Sequence, residues 1–217
     1  MTKTGVKKVK RVQSLGEEIA NAVSHGVGAI FAIAGSAFII TYAALNSAPI
    51  GIVSVSLYSA CLILLYVSSC LYHSFTGRVK KLFRIFDHCS IFILILGTYI
   101  PASLLLVGGA RGWVLFGINA AVATVGIVFN AIDLERWRKY SVILYVVMGW
   151  SVMAIGTDVL CTVPTDGLML LVQGGLAYTV GIIFYALKKP KYLHFVWHLF
   201  VLSGSILHYF FVLYYCL

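Results

Sequence analysis

The chain has 217 residues, of which 61% are hydrophobic and 11% charged, with a formal net charge of +9. An ordinary soluble domain is roughly 45–50% apolar and about 25% charged, so this chain lacks the polar surface to cover a water-soluble globule. That excludes a soluble enzyme, a disordered chain and a disulfide scaffold, and leaves a polytopic membrane protein, in which basic residues report topology rather than nucleic-acid affinity.

A basic cytosolic tail is expected over residues 1–19 and a seven-transmembrane domain over 20–217. A helix crossing a hydrocarbon core of about 30 Å needs about 20 residues. Long apolar runs give seven expected spans, at 21–45, 52–72, 87–107, 113–132, 140–160, 168–187 and 194–215. The first run follows Lys3, Lys7, Lys8, Lys10 and Arg11, as a secretory signal would. It is longer than an h-region of about 7–15 residues, so it reads as a retained span. Turn signals divide the others: Asn46 to Pro49, Gly108-Gly109, Pro164 and Pro190. Cys61, Cys70, Cys89, Cys161 and Cys216 lie in or near apolar segments with no C-x-x-C pair, and read as buried thiols.

Fifteen of the 16 Lys and Arg residues fall in one set of alternating loops, and the other set holds only Arg111. The positive-inside rule then puts the N-terminus in the cytosol and the C-terminus outside, in an all-α bundle. Trp113, Trp137, Tyr140, Tyr192 and Tyr214 sit at span ends, where interfacial aromatics belong.

Ionisable side chains inside a membrane are expensive and usually have a reason to be there. With this topology, Glu18, Asn21 and His25 stand at the cytosolic end of span one. Ser69 and His73 stand at the same end of span two. Asp87 and His88 open span three, and His194 and His198 open span seven. Four helices thus offer polar groups at one depth. Helical spacing also aligns them: His194 with His198, Ser69 with His73, and Glu18 with Asn21 and His25, each set on one face. Two histidines one turn apart can hold the same zinc ion, and a third from a neighbouring helix leaves the fourth position for water or substrate. Each group also has a plainer role. Asp87 and Glu18 could cap helix N-termini, and lone histidines could be helix-packing hydrogen bonds. His208 lies about 21 Å beyond His194 along the helix, so it cannot share an ion with it and reads as a satisfied core histidine.

The stretches SLGEEIANAVSHGVGA (14–29), SSCLYHS (68–74), FDHCSIFILILGTYIP (86–101) and HFVWHLFVLSGSILHYF (194–210) together resemble the hemolysin III family. That family lies within the progestin and adiponectin receptor superfamily, and the resemblance extends over nearly the whole chain. It implies a zinc ion near the cytosolic face held by His73, His194 and His198. Asp87 would contact the metal or its water, and Ser69 would sit beside that water. The superfamily is similar to alkaline ceramidases, which implies hydrolysis of a lipid amide or ester. Asp87 and Ser69 are then the expected catalytic residues, with Glu18, Asn21 and His25 supporting the metal site. The expected partner is a membrane lipid, with no nucleic acid, and the expected location is the cell's inner (plasma) membrane. Three other readings follow from the same resemblance and topology: a receptor or sensor with a structural zinc, a pore-forming or cytolytic protein, and a transporter.

Overall fold

The computed structural model describes residues 13–155, 160–161, 163–187 and 189–217. The basic residues Lys3 to Arg11, the last turn expected for the fifth span, and Lys188 lie outside the described residues. Within the described residues all regular structure is helical. The α-helices are α1 (Leu15–Asn46), α2 (Pro49–Ser74), α3 (Gly77–Pro101), α4 (Gly109–Trp150), α5 (Thr165–Ala186) and α6 (Leu193–Phe211). Three of them change pitch at their ends: α4 runs into a 3-10 stretch, Ser151–Ile155, and the other two into π-helix. α3 runs into a π-helical stretch, Ala102–Val107, and α6 into another, Val212–Cys216.

Local chemistry explains most boundaries. α1 begins six residues before the apolar run because Ser14 and Glu17 form a reciprocal capping box. The Glu17 N–H donates to Ser14 Oγ at 3.4 Å, and the Ser14 N–H donates to Glu17 Oε2 at 2.9 Å. Glu18, Asn21 and His25 are thereby carried on one continuous helix. α2 starts with Pro49 in its first turn, where no N–H is needed. The stretch past Val107 ends at Gly108, whose φ of 64° is left-handed, a conformation glycine adopts without a Cβ penalty.

α3 corrects an expectation. The basic stretch Arg78–Arg84 was expected as a loop, with Asp87 opening the helix. The helix instead starts at Gly77 with Thr76 as its N-cap, so Asp87 lies about three turns inside it. Asp87 therefore caps nothing, and its side chain is free to work from a helix wall.

Among the described residues, six helices are long and apolar enough to cross a membrane. The segments expected as spans four and five both lie in α4, whose 42 residues would reach about 63 Å if straight. The backbone leaves helical geometry at one residue, Asp133, with φ −156° and ψ 90°. Asp133 Oδ1 accepts the N–H groups of Glu135 and Arg136, at 3.1 and 3.0 Å, as an N-cap does. The turn expected between the two spans is thus compressed into a single residue that caps the second arm.

The exterior is apolar and the interior is partly polar. Ile30, Phe31 and Leu45 on α1, and Trp113, Val114 and Ile132 on α4, are well exposed. Asn21, His25, Ser69, His73, Asn130 and His198 are buried. A soluble protein shows the opposite arrangement; lipid as the surrounding solvent accounts for this one. The chain is a multi-pass membrane protein. α1 packs against α2 and α6, and α2 packs in turn against α3. One end of the bundle therefore gathers the starts of α1, α3 and α6 and the end of α2.

Close helix approach relies on small residues. At Gly126, an added Cβ would stand 2.1 Å from Phe92 Cζ, and Phe92 is fully buried. Gly126→Ala is expected to destabilise the protein by about 1–3 kcal/mol, as overpacking does, read as a lower thermal midpoint in detergent. An unchanged midpoint would show that the Phe92 ring can move aside.

Candidate metal centre

His73 comes from the last turn of α2, and His194 and His198 from the first two turns of α6. Each offers a ring nitrogen, and these three atoms lie within 4.8 Å of one another. The ring centroids are 5.1 Å apart for His73 and His194, 5.1 Å for His73 and His198, and 4.7 Å for His194 and His198. A group of three histidines so arranged could hold a metal ion.

The hydrogen bonds assign which nitrogen faces inward. His73 Nδ1 lies 2.7 Å from Glu18 Oε2, so it carries the proton and donates to the carboxylate. His198 Nδ1 lies 3.2 Å from the Asn21 carbonyl oxygen and donates to it. Each ring therefore presents its Nε2 lone pair. The Nε2 of His73 is buried and meets no hydrogen-bond partner among the described residues. An orphaned lone pair is costly in an apolar interior unless something accepts it. A carboxylate bonded to the far side of a ligand imidazole is a recurrent device for fixing its tautomer and raising its basicity. The donor set thus fits a borderline-soft divalent ion such as zinc.

The groups expected to support the centre reach it in different ways. Glu18 bonds His73 through one oxygen and Lys80 Nζ through the other, at 2.9 Å. Lys80 also donates to the Tyr72 carbonyl at 3.2 Å and sits 4.7 Å over the Tyr72 ring. Asn21 receives His198 on its carbonyl, and its side-chain amide lies 3.4 Å from His73 Nδ1. Ser24, which the sequence did not single out, lies 3.1 Å from His198 Nδ1 through its hydroxyl. His25 makes no hydrogen bond among the described residues. Its ring stacks on His198 with centroids 3.6 Å apart and planes 13° from parallel. Its contact with the three-histidine group is this stack.

Asp87 stands outside the three-histidine group. Its Oδ2 lies 3.1 Å from His88 Nδ1, and Ser69 is within interacting range of the same carboxylate. The Ser69 hydroxyl is buried without a hydrogen bond of normal geometry among the described residues. His88, whose role the sequence left open, links several elements. Its Nδ1 also faces the Arg84 carbonyl at 2.9 Å, and its Nε2 faces Tyr185 Oη at 3.4 Å. Its own carbonyl accepts the Tyr145 hydroxyl at 2.8 Å. The only sequence signal for this role was its adjacency to Asp87. His208 is elsewhere: its Nε2 donates to the Leu171 carbonyl at 3.1 Å, and it packs against Gly174 and Tyr178. It is a satisfied core histidine.

One cavity adjoins the centre at His194, and a second lies deeper in the bundle. A polar vestibule is walled by charged side chains including Glu18, Lys80, Arg84 and Arg138, and by His88 and His194. An apolar cleft of about 90 Å³ lies among α3, the second arm of α4, α5 and α6. Tyr185 lines the vestibule and Trp197 the cleft, and their rings lie 5.6 Å apart.

Glu18→Gln is expected to keep the fold and weaken metal binding by about 10–100-fold, because the neutral amide no longer holds His73 as an acceptor of its N–H with a full charge. Competition with a chelator of known affinity measures this, and unchanged affinity would rule out a role for the carboxylate.

The fold and this centre define a class: a multi-pass helical membrane protein with a three-histidine group, two of its members buried, at one end of the bundle. The chain belongs to the haemolysin-III related family, whose model matches residues 13–209. It is 38% identical over 212 residues to "Hemolysin-3" of Bacillus cereus, covering 97% of each chain. It is 40% identical over 201 residues to the "Hemolysin-3 homolog" of Bacillus subtilis (strain 168), covering 92% of this chain and 94% of the relative. A more distant relative is the "Monocyte to macrophage differentiation factor" of Homo sapiens, 26% identical over 201 residues, covering 89% of this chain and 82% of the relative.

Proposed function

We propose that the protein is a zinc-dependent hydrolase of a membrane lipid amide or ester, resident in the plasma membrane. In this reading the arms of α4 on either side of Asp133 are separate spans. That makes seven spans, with the N-terminus and the metal centre on the cytosolic side. The basic residues Arg78–Arg84 and Arg136–Lys139 then share that side with the centre, as the positive-inside rule requires.

One observation carries the reading: a ring nitrogen of His73 lies within 4.8 Å of ring nitrogens of His194 and His198, and the buried Nε2 of His73 is unpartnered among the described residues. His73, His194 and His198 would hold the zinc. When bound, zinc would supply a water of lowered pKa and a Lewis-acidic contact for the scissile carbonyl. Asp87 would accept a proton at its carboxylate and later return it to the leaving group. The His88 Nδ1–H, 3.1 Å from Asp87 Oδ2, would orient that carboxylate. The Ser69 hydroxyl, with no other protein partner of normal geometry, is free to orient the attacking water. Glu18, Asn21, Ser24 and His25 would hold the histidine rings in place. The polar vestibule and the apolar cleft lie on either side of Tyr185 and Trp197, which suits an amphiphile whose linkage sits between them.

The test is a zinc measurement on purified protein together with lipid product analysis. One zinc per chain and fatty acid released from a lipid are the expected results. Protein free of zinc would leave the mechanism without a basis. The name hemolysin carried by the two Bacillus relatives favours a second reading, cytolysis through a pore. Conductance in reconstituted bilayers that persists in His73→Ala would establish that reading instead.

A further inference from the structure

The vestibule has a charge pattern that metal binding does not explain. Three cations face it: Lys80, Arg84 and Arg138. Two are neutralised within the protein, Lys80 by Glu18 and Arg84 by Glu135. Glu17, which also lines the vestibule, is engaged with Ser14 and with the Tyr192 N–H at 3.0 Å. Arg138 has no carboxylate partner among the described residues. Its guanidinium sits 5.7 Å from the centroid of the Tyr185 ring, and that ring lies 6.0 Å from His194. One aromatic ring therefore separates an unpaired guanidinium from a proposed metal ligand. Topology alone accounts for basic residues at this end of the bundle. It does not account for the difference between Arg138 and its neighbours: Arg136 and Lys139 are exposed, whereas Arg138 is half-buried on the vestibule wall.

A metal at three neutral imidazoles would add two positive charges, with Asp87 the nearest acid left to offset them. Vestibule and centre together would then hold a surplus of positive charge at a polar opening continuous with membrane-facing helices. We propose that the vestibule is a headgroup subsite for an anionic lipid bearing a phosphate or similar oxyanion, and that Arg138 contacts the anion. Arginine suits the role because its planar fork matches a phosphate with two parallel hydrogen bonds, and stacking on Tyr185 holds the fork in place. This deepens the hydrolase reading, since it names the substrate class of the same site.

The experiment reads binding without turnover, so it succeeds or fails independently of hydrolysis. Purified full-length protein of measured zinc content is titrated in detergent with phosphatidylglycerol, with phosphatidylcholine of the same chains, and with inorganic phosphate. Wild type is expected to bind the anionic lipid about tenfold more tightly than the zwitterionic one, the size of one charge-assisted hydrogen bond. Arg138→Gln is expected to abolish that preference, Arg138→Lys to retain part of it, and Arg136→Gln to leave it intact, all at unchanged thermal midpoint. Equal affinity for the two lipids would overturn the proposal. So would a preference that survives Arg138→Gln, or one that Arg136→Gln removes equally, since that is general attraction to the basic face. Inorganic phosphate binding as tightly as the lipid would make the ligand a soluble oxyanion and overturn the lipid assignment.

Discussion

His194→Ala is expected to yield a folded protein that has lost its stoichiometric zinc. Of the three histidines, His194 is the one whose removal disturbs least. It lies in the first turn of α6, is only half-buried, and packs its ring against His73, His198 and Tyr185. His198 is a poorer choice, because it is fully buried, bonded to Asn21 and stacked on His25. With only two histidines left the ion keeps too few protein ligands, since catalytic zinc sites use three plus one open position. Elemental analysis beside a thermal midpoint separates loss of metal from loss of fold. Full zinc occupancy in the variant would mean that the three-histidine group is not the site. Metal lost with membrane lipids unchanged would mark the ion as structural and favour the sensor reading.

Asp87→Asn is expected to lower lipid hydrolysis by about 10²–10⁴-fold, the range for loss of a general acid–base group, while zinc content stays near one per chain. The expectation follows from position. Asp87 lies on the wall of α3, outside the three-histidine group and beside Ser69 and His88. In the proposed mechanism a residue there would move protons without being needed to hold the ion. The amide keeps the size of the carboxylate and can still meet His88, so packing is conserved. Released fatty acid and bound zinc, measured on one preparation, decide it. Zinc lost in parallel with activity would make Asp87 a ligand. Activity retained at full zinc would remove it from the chemistry.

Much of the site was legible because helices carry a fixed period. Glu18, Asn21 and His25 share a face by spacing alone, as do His194 and His198, and the basic loops set their common depth. What spacing could not supply was the manner of contact. His25 looked like one more polar group in a supporting network, yet it acts through its flat ring on His198. Ser24 carried no signal, because a serine in an apolar helix most often bonds its own backbone, as Ser56 and Ser74 do. His88 was visible only as a neighbour of Asp87. The vestibule cations were counted as topology, since charge along a sequence does not say which pairs are already neutralised.

The boundaries show the same division. The amino-acid sequence by itself determined that the chain lives in a membrane, because 61% hydrophobic residues cannot be folded out of water's reach in a chain of this size. It also determined which residues would be expensive in the membrane and which end of each helix carries them. The tertiary structure decided how those residues meet. Helix α3 starts ten residues before its apolar run, so Asp87 became part of a wall rather than a cap. A single non-helical residue, Asp133, took the place of the turn expected between two spans. Both outcomes depend on whether a polar segment stays helical. In a bundle, that choice is set by the partners available at the helix end, such as the Asp133 carboxylate for Glu135 and Arg136, and by the packing of α1 against both α2 and α6. The Asp133 cap is local to its own stretch, whereas the packing of α1 draws on several helices at once, so no single stretch of sequence contains it.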